Sequence, residues 1–340
     1  MKLSALLRPV RFLAYPELIT FLLLLGAFGL GAGLAEHYLD RADLFLDPGY
    51  LLDSTSLYME IGIIALTMTF VIISGNIDLS VASNLALTAV LCAKLHADAD
   101  VPMAVAAALG PVIGGLLGLF NGLLITRLRL PSLTVTLGTL ALYRGLAQVL
   151  AGDHSIGGFP SWFTGIDYRY AGPFPMPLLV FLALAVVAGL ALHKTVFGRN
   201  IYMIGTNEPA SRFSGVRVDA TKLAVFTLSG AAAGLGAIMM LSRLGVARYD
   251  LALGDELAVI TAVVLGGTSI FGGRGSILGT VLALFLLGII RRGMGLANVA
   301  AENQLAITGV LLIAAVLLAQ LGERFRIVRT EGVSLGKAHA

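Results

Sequence analysis

Long apolar runs, separated by short polar segments, constrain the fold of this chain more than any other feature of its sequence. Ten such runs lie at 16–35, 57–74, 79–95, 102–125, 132–150, 176–193, 223–242, 257–271, 276–290 and 304–321. Most of them approach the length of about 20 residues that an α-helix needs to cross a bilayer, although several are short. Only 13% of the residues are charged, against about a quarter in soluble domains. The sequence therefore predicts an all-α, polytopic helical membrane protein with about ten transmembrane helices.

The distribution of charge predicts the orientation of these helices. Most lysines and arginines fall in the N-terminal segment and in every second connection after it, whereas the other connections carry mostly acids. By the positive-inside rule, both termini are expected to be cytoplasmic. This predicts a cytoplasmic segment at 1–15, a transmembrane domain at 16–321 and a cytoplasmic tail at 322–340. The small net charge of +3 thus reflects topology and gives no reason to expect a nucleic-acid partner.

Arg291 and Arg292 are the exception, because this topology places them outside. If the runs 257–271 and 276–290 formed a re-entrant pair, the number of spans would fall to nine or fewer.

The polar segment 198–222 interrupts the apolar pattern and contains signals for both the start and the end of a helix. Asn207 is a good N-cap, because its side-chain oxygen can accept from the N–H of Ala210, and Pro209 is tolerated in a first turn. Gly215 can adopt the left-handed conformation that ends a helix. We therefore predict a short helix over Glu208–Ser214. At about 10 Å it cannot span a membrane, so it is either a partner-binding helix or one ordered turn in a plain cytoplasmic loop. The residues proposed for the partner contact are Asn207, Glu208, Pro209, Ala210, Arg212, Phe213, Ser214 and Gly215.

A second polar segment breaks the apolar sequence between the second and third runs. It reads Gly75-Asn76-Ile77-Asp78-Leu79-Ser80. A carboxylate at this depth is costly unless it is satisfied, and Asp78 is predicted to cap a helix that begins at Leu79. The alternative is a direct role for Asp78 in transport.

The fifth apolar run carries a stripe of hydroxyl groups. Ser132, Thr136, Thr139 and Tyr143 are spaced by four, three and four residues, so they share one face of a helix. Such hydroxyls often bond a neighbouring helix in the membrane. They could equally line a wet path for a polyhydroxylated solute, and the sequence leaves both interpretations open.

A glycine-rich segment lies between the eighth and ninth runs. Its glycines are Gly266, Gly267, Gly272, Gly273 and Gly275, placed around Arg274. A phosphate-binding loop is not expected here, because no Gly-x-x-x-x-Gly-Lys-Ser/Thr occurs in the sequence and no strand precedes the segment.

Four of these motifs together resemble one family. The pattern Asn-x-x-Ala-x-x-x-Ser-Gly-Val at 207–216, the pattern Ile-Asp-Leu-Ser at 77–80, the Thr-Leu-Gly-Thr…Arg-Gly pattern of the fifth run and the glycine-rich segment are similar to membrane permeases of ATP-binding-cassette (ABC) sugar importers. The resemblance is to the branch that handles ribose, xylose, galactose, rhamnose and autoinducer-2, and it leans towards the last two. This sequence departs from the usual pattern at Asn76, where the family has glycine, and at Ser211, where it has alanine.

The resemblance implies a set of partners. It implies that segment 198–222 docks into a cytoplasmic ABC ATPase subunit, that a second permease chain completes the pore as a homodimer or heterodimer, and that an external sugar-binding protein delivers the solute. It also implies a bacterial inner membrane location. ATP and Mg are expected on the ATPase, and no cofactor is expected on this chain.

Other classes of function are less favoured. The five histidines are scattered, and the single Cys92 excludes an intrachain disulfide, so no catalytic set or metal site is predicted and the chain is not expected to be an enzyme. A stand-alone secondary transporter or channel would need titratable groups deep in the membrane or inverted repeats. A branched-chain amino-acid permease stays an alternative, although the glycine-rich segment argues against it.

Overall fold

The computed structural model describes residues 16–39, 47–152, 154–300 and 302–317, which are mostly helical. The predicted terminal segments, 1–15 and 322–340, lie outside the described residues. The helices up to the middle of the chain are α1 (Pro16–Leu39), α2 (Pro48–Thr55), α3 (Met59–Ile73), α4 (Val81–Ala97), α5 (Met103–Arg127), α6 (Ser132–Ala151) and α7 (Ser161–Thr164). They are followed by an antiparallel pair, β1 (Tyr170–Ala171) and β2 (Phe174–Pro175). The remaining helices are α8 (Met176–Lys194), α9 (Val196–Thr206), α10 (Glu208–Phe213), α11 (Val218–Leu244), α12 (Asp255–Leu265), α13 (Ile277–Leu296) and α14 (Glu302–Leu317).

Each of the ten apolar runs overlaps one of these helices in its described part, which supports a multi-pass membrane protein. Within the described ranges, five helices are long and apolar enough to cross a bilayer, namely α5, α6, α8, α11 and α13. A sixth crossing results if α2 and α3, which meet at 61°, are counted as one broken span. The chain is therefore helical with at least several crossings, and the number ten stays a prediction.

The predicted span at 257–271 is not a helix of spanning length. Its helix, α12, has 11 residues, which is about 16 Å at 1.5 Å per residue, or roughly half of a hydrocarbon core. The helix ends because Gly266 and the glycines after it turn the backbone, and Gly267 and Gly272 have φ values of 86° and 85°. The run was apolar throughout, so hydropathy alone missed this end.

Helix α11 lies at the centre of the bundle, where it packs against α3, α4 and most extensively against α5. Its contact with α5 is made by backbone atoms. A Cβ placed on Gly230 would lie 2.8 Å from the Cα of Gly118, and one on Gly114 would lie 2.7 Å from the amide nitrogen of Gly234. Gly114 and Gly118, like Gly230 and Gly234, are four residues apart, a spacing of small residues that lets the backbones of membrane helices approach closely.

The two arginines that conflicted with the charge rule have partners within the chain. The Arg291 guanidinium lies 3.3 Å from the Asp255 carboxylate, and the Arg292 guanidinium lies 4.1 Å from the centre of the Tyr50 ring. A carboxylate and an aromatic face both stabilise a cation. The pair can thus reside on the side that the charge rule predicts to be outside.

Candidate functional site

Helix α10 is the short helix that the sequence predicted, and it ends one residue earlier than expected. It spans Glu208–Phe213, with Ser214 as the C-cap residue. The predicted N-cap is confirmed, because Asn207 Oδ1 accepts from the N–H of Ala210 at 3.0 Å. Gly215 has φ 81°, the left-handed conformation expected of a residue that closes a helix. Local rules of helix capping were sufficient to predict these features.

Ion pairs stabilise α10 and hold it against the beginning of α11. The Glu208 carboxylate lies 2.9 Å from Arg212 and 2.6 Å from the Lys222 ammonium. Arg212 in turn contacts Asp219. Partial burial by itself raises the pKa of Glu208, but the hydrogen bonds from Lys222 and Arg212 outweigh it, so the pKa lies below the usual glutamate value.

These contacts correct one argument from the sequence. A helix this short is unstable alone in water, so from its sequence alone one would infer that an external partner must hold it. The structure shows that the chain itself supplies the caps and the ion pairs. A partner contact at α10 must therefore be argued from the surface that the helix presents.

Phe213 dominates that surface. Its side chain is 93% exposed, whereas Ser211 on the same helix is buried and its hydroxyl donates to the Asn207 carbonyl at 2.8 Å. The helix thus turns its small polar residue inward and its one large apolar residue outward. A fully exposed aromatic ring on an ordered, capped helix is suited to anchor a protein contact.

Asp78 is satisfied in a different way from the one predicted. Helix α4 begins at Val81, and its N-cap residue is Ser80, so the expectation that Asp78 caps a helix at Leu79 is wrong. One oxygen of the Asp78 carboxylate instead accepts from the backbone N–H of Ser80 at 3.0 Å and from its hydroxyl at 2.7 Å. The other accepts from the Ser229 hydroxyl of α11 at 3.0 Å. Residues 79 and 80 form a turn, so Asp78 fixes the break between α3 and α4 to the central helix.

The hydroxyl stripe of α6 faces the interior of the bundle. Thr136, Thr139 and Tyr143 are buried, and Ser132 is half-buried. The Tyr143 hydroxyl donates to the Leu117 carbonyl of α5 at 2.8 Å. Tyr143 thus bonds a neighbouring helix, as the packing interpretation expects, whereas the Thr139 hydroxyl donates to carbonyls of its own helix. A role in lining the path stays a prediction.

The structure also contains a buried ion pair that was not predicted from the sequence. Glu60 in the first turn of α3 and Arg243 in the last turn of α11 are 2.8 Å apart, and Glu60 is almost fully buried. They are far apart in the sequence, so no local spacing could have paired them. Arg144 of α6 likewise bonds a distant segment, because its guanidinium donates to the carbonyls of Tyr249 and Leu251.

The glycine-rich segment 266–275 forms a loop against the α3–α4 break and the end of α9. The N–H of Gly273 donates to the carbonyl of Ile73 at 2.8 Å, and Tyr202 of α9 donates to the carbonyl of Gly275 at 2.7 Å. The sequence identified the loop, and the structure adds its neighbours. In the described part of the chain no three His, Cys, Asp or Glu side chains are grouped as a metal site, and the expectation that ATP and Mg belong to a partner stays a prediction.

Comparison with known proteins identifies similar proteins that are all described as transport permeases. The family described as "Branched-chain amino acid transport system / permease component" matches residues 50–316. The chain is 40% identical over 278 residues to the autoinducer 2 import system permease protein LsrD of Photorhabdus luminescens, covering 80% of this chain and 83% of that protein. It is equally similar to LsrD of Escherichia coli strain K12, with 80% and 84% covered. No solved structure matches the chain.

Proposed function

We propose that this chain carries autoinducer-2 or a closely related monosaccharide-like solute. The chain belongs to the family of permease components described under the branched-chain amino acid transport system. Within it, the chain is an ABC-importer permease of the sugar type. The support for this substrate is the 40% identity to autoinducer 2 import permeases over most of both chains. The buried hydroxyls of α6, on Thr136, Thr139 and Tyr143, are groups of the kind that can bond a polyhydroxylated solute.

The energy for transport enters through α10, where an ABC ATPase subunit binds. The single observation that carries this step is the almost fully exposed Phe213 on a helix that is otherwise fixed to the body of the chain. Because α10 is capped and ion-paired before it meets any partner, little ordering entropy is lost on binding. The ATPase, and with it ATP and Mg, approaches from the side that the basic residues predict to be cytoplasmic.

The working assembly contains more than this chain. It includes a second permease chain, identical or related, and a soluble binding protein on the outer side that delivers the solute. The chain crosses the inner membrane of a bacterium about ten times, with both termini in the cytoplasm and with no catalytic role of its own.

Substitution of Phe213 tests the proposed energy input. Burial of a phenylalanine side chain stabilises a contact by roughly 1.5–3 kcal/mol, so Phe213→Ala should weaken ATPase binding by about tenfold to a hundredfold. The measurement is retention of the ATPase in a pull-down from detergent, with uptake measured in liposomes that contain the binding protein. Leu253→Ala is the matched control, because Leu253 is also an exposed apolar residue, at 71%, outside α10. Equal retention by both variants would contradict the proposal.

The same preparation distinguishes the substrate classes. Uptake of labelled autoinducer-2, ribose and leucine is compared in liposomes that contain the complete importer. The account expects autoinducer-2 or a sugar to be accumulated with ATP and leucine to be excluded. Leucine accumulation would support the branched-chain amino-acid alternative, and uptake without the ATPase would indicate a stand-alone transporter.

A further inference from the structure

Three backbone segments meet at the end of α9 with no side chain between them. A methyl group on Gly205 would overlap the carbonyl oxygen of Ile73 and lie 2.5 Å from the amide nitrogen of Gly273. A methyl group on Gly272 would lie 2.9 Å from the Cα of Gly75. We call the contact of Ile73, Gly75, Gly205, Gly272 and Gly273 the glycine junction. It joins the end of α3, the end of α9 and the loop that follows α12.

Hydrogen bonds hold the three segments together. The N–H of Gly273 donates to Ile73 at 2.8 Å, and the Tyr202 hydroxyl, one turn before the end of α9, donates to the carbonyl of Gly275 at 2.7 Å. A contact between backbones cannot be relieved by rotating a side chain. The segments are therefore expected to move together when one of them is displaced.

One side of the junction leads directly to α10. Helices α9 and α10 are separated by Asn207 alone, which is the C-cap of the first helix and the N-cap of the second. Gly205 lies in the last turn of α9. Only Thr206 and Asn207 lie between Gly205 and Glu208, the first residue of α10. A displacement of α10 therefore reaches Gly205 without passing through a flexible linker.

The other side of the junction leads to α6. Two residues after Gly75, the N–H of Ile77 donates to Ser132 Oγ at 3.4 Å, and the Ile77 carbonyl accepts from Thr136 Oγ1 at 3.2 Å. Ser132 and Thr136 are the first two members of the hydroxyl stripe. The break between α3 and α4 is thus bonded to the beginning of α6, the helix predicted to line the path.

We infer that the glycine junction transmits movement of α10 to the start of α6, and that Gly205 and Tyr202 are positioning residues for transport. The inference rests on the proposed function, since it takes α10 to be the site at which the ATPase acts. Packed segments joined by hydrogen bonds are physical carriers of such coupling.

The experiment places a reporter on α6 and perturbs the junction. Thr134, an exposed residue of α6, is changed to cysteine in a Cys92→Ser background, and the protein is purified in complex with its ATPase. The rate of labelling by a water-soluble thiol reagent is measured with and without a non-hydrolysable ATP analogue. An intact junction should change that rate by about fivefold, the lower end of typical coupling between sites.

Gly205→Ala and Tyr202→Phe should each remove the response to nucleotide while the ATPase is retained as in the parent. Gly189→Ala and Tyr168→Phe are the matched controls, because a Cβ on Gly189 would meet no atom within 4 Å and Tyr168 is exposed. If Gly205→Ala does not fold, Tyr202→Phe decides, because it adds no atom. A response of parental size in Tyr202→Phe and in any folded Gly205→Ala protein would overturn the inference and leave the proposed function intact. A parent complex that does not retain the ATPase would overturn both.

Discussion

The segment 207–215 and the loop 266–275 are of similar length but use their residues in opposite ways. In the first, caps and ion pairs fix a helix so that one large side chain, Phe213, faces outward. In the second, glycines remove side chains so that the loop can lie on the backbones of α3, α9 and α13. The comparison shows that a motif of unusual composition can act either through the side chain it presents or through the side chains it lacks.

This difference predicts which substitutions lower the stability of the protein and which only weaken binding of a partner. Substitutions of the loop glycines should lower the stability of the isolated chain, because backbone atoms fill the space next to these glycines. Changes on the outer face of α10 should leave stability unchanged, since nothing in the described chain covers Phe213. The predictions that follow test that division.

The largest effect is expected for Gly266→Val. A Cβ at this position would lie 2.5 Å from the carbonyl carbon of Gly279 and 2.6 Å from the nitrogen of Thr280, so the ends of α12 and α13 must move apart. Overpacking of this kind costs about 1–3 kcal/mol. Thermal unfolding in detergent should show a lower Tm than for the control Gly189→Val. Equal Tm values would show that the loop is not packed as described.

A smaller effect is expected for Asp167, a buried carboxylate outside the membrane-spanning helices. Burial raises the pKa of Asp167 to about 6, although nearby Arg243 acts in the opposite direction. The folded pKa therefore exceeds the ordinary value of 3.8, and this group favours folding more strongly as the pH falls from above 6 towards 4. Asp167→Asn should raise Tm by a few degrees at pH 7.5, relative to wild type, and the gain should shrink by pH 5. A gain that is independent of pH would contradict this assignment.

The smallest effect is expected for Glu208→Gln on α10. Its ion pairs are partly exposed, and pairs of this kind contribute about 0.2–1 kcal/mol. Because the folded pKa of Glu208 is lowered, its contribution is present above the ordinary pKa of 4.5 and is lost as the pH falls below it. Global Tm should hardly change, while amide hydrogen exchange in α10 should become faster at pH 7 and less sensitive to salt, because the ion pairs that salt screens are absent from the variant. Unchanged exchange would mean that the caps alone hold the helix.

Much of the fold could be predicted because its signals are local. Each apolar run overlaps a helix, and the caps of α10 follow from Asn207, Pro209 and Gly215 by rules that act within one turn. The orientation and the number of crossings depend on charge counts along the chain and stay predictions.

The features that were missed depend on contacts between distant segments. The early end of α12 comes from glycines in a run that is still apolar, and the register at Asp78 depends on Ser80 and on Ser229 of another helix. The glycine junction could not be predicted either. The sequence located the loop, but the need for glycine at 205 comes from Ile73, which is distant in the sequence.

The central claim is that Phe213 is where an ATPase meets this permease, and site-specific photo-crosslinking tests it most directly. A benzophenone amino acid is incorporated in place of Phe213 or, as control, of Leu253, and the chain is co-expressed with its ABC ATPase. On irradiation, the account predicts a covalent product with the ATPase from position 213 and none from position 253. Absence of that product at 213, or equal amounts from both positions, would contradict it.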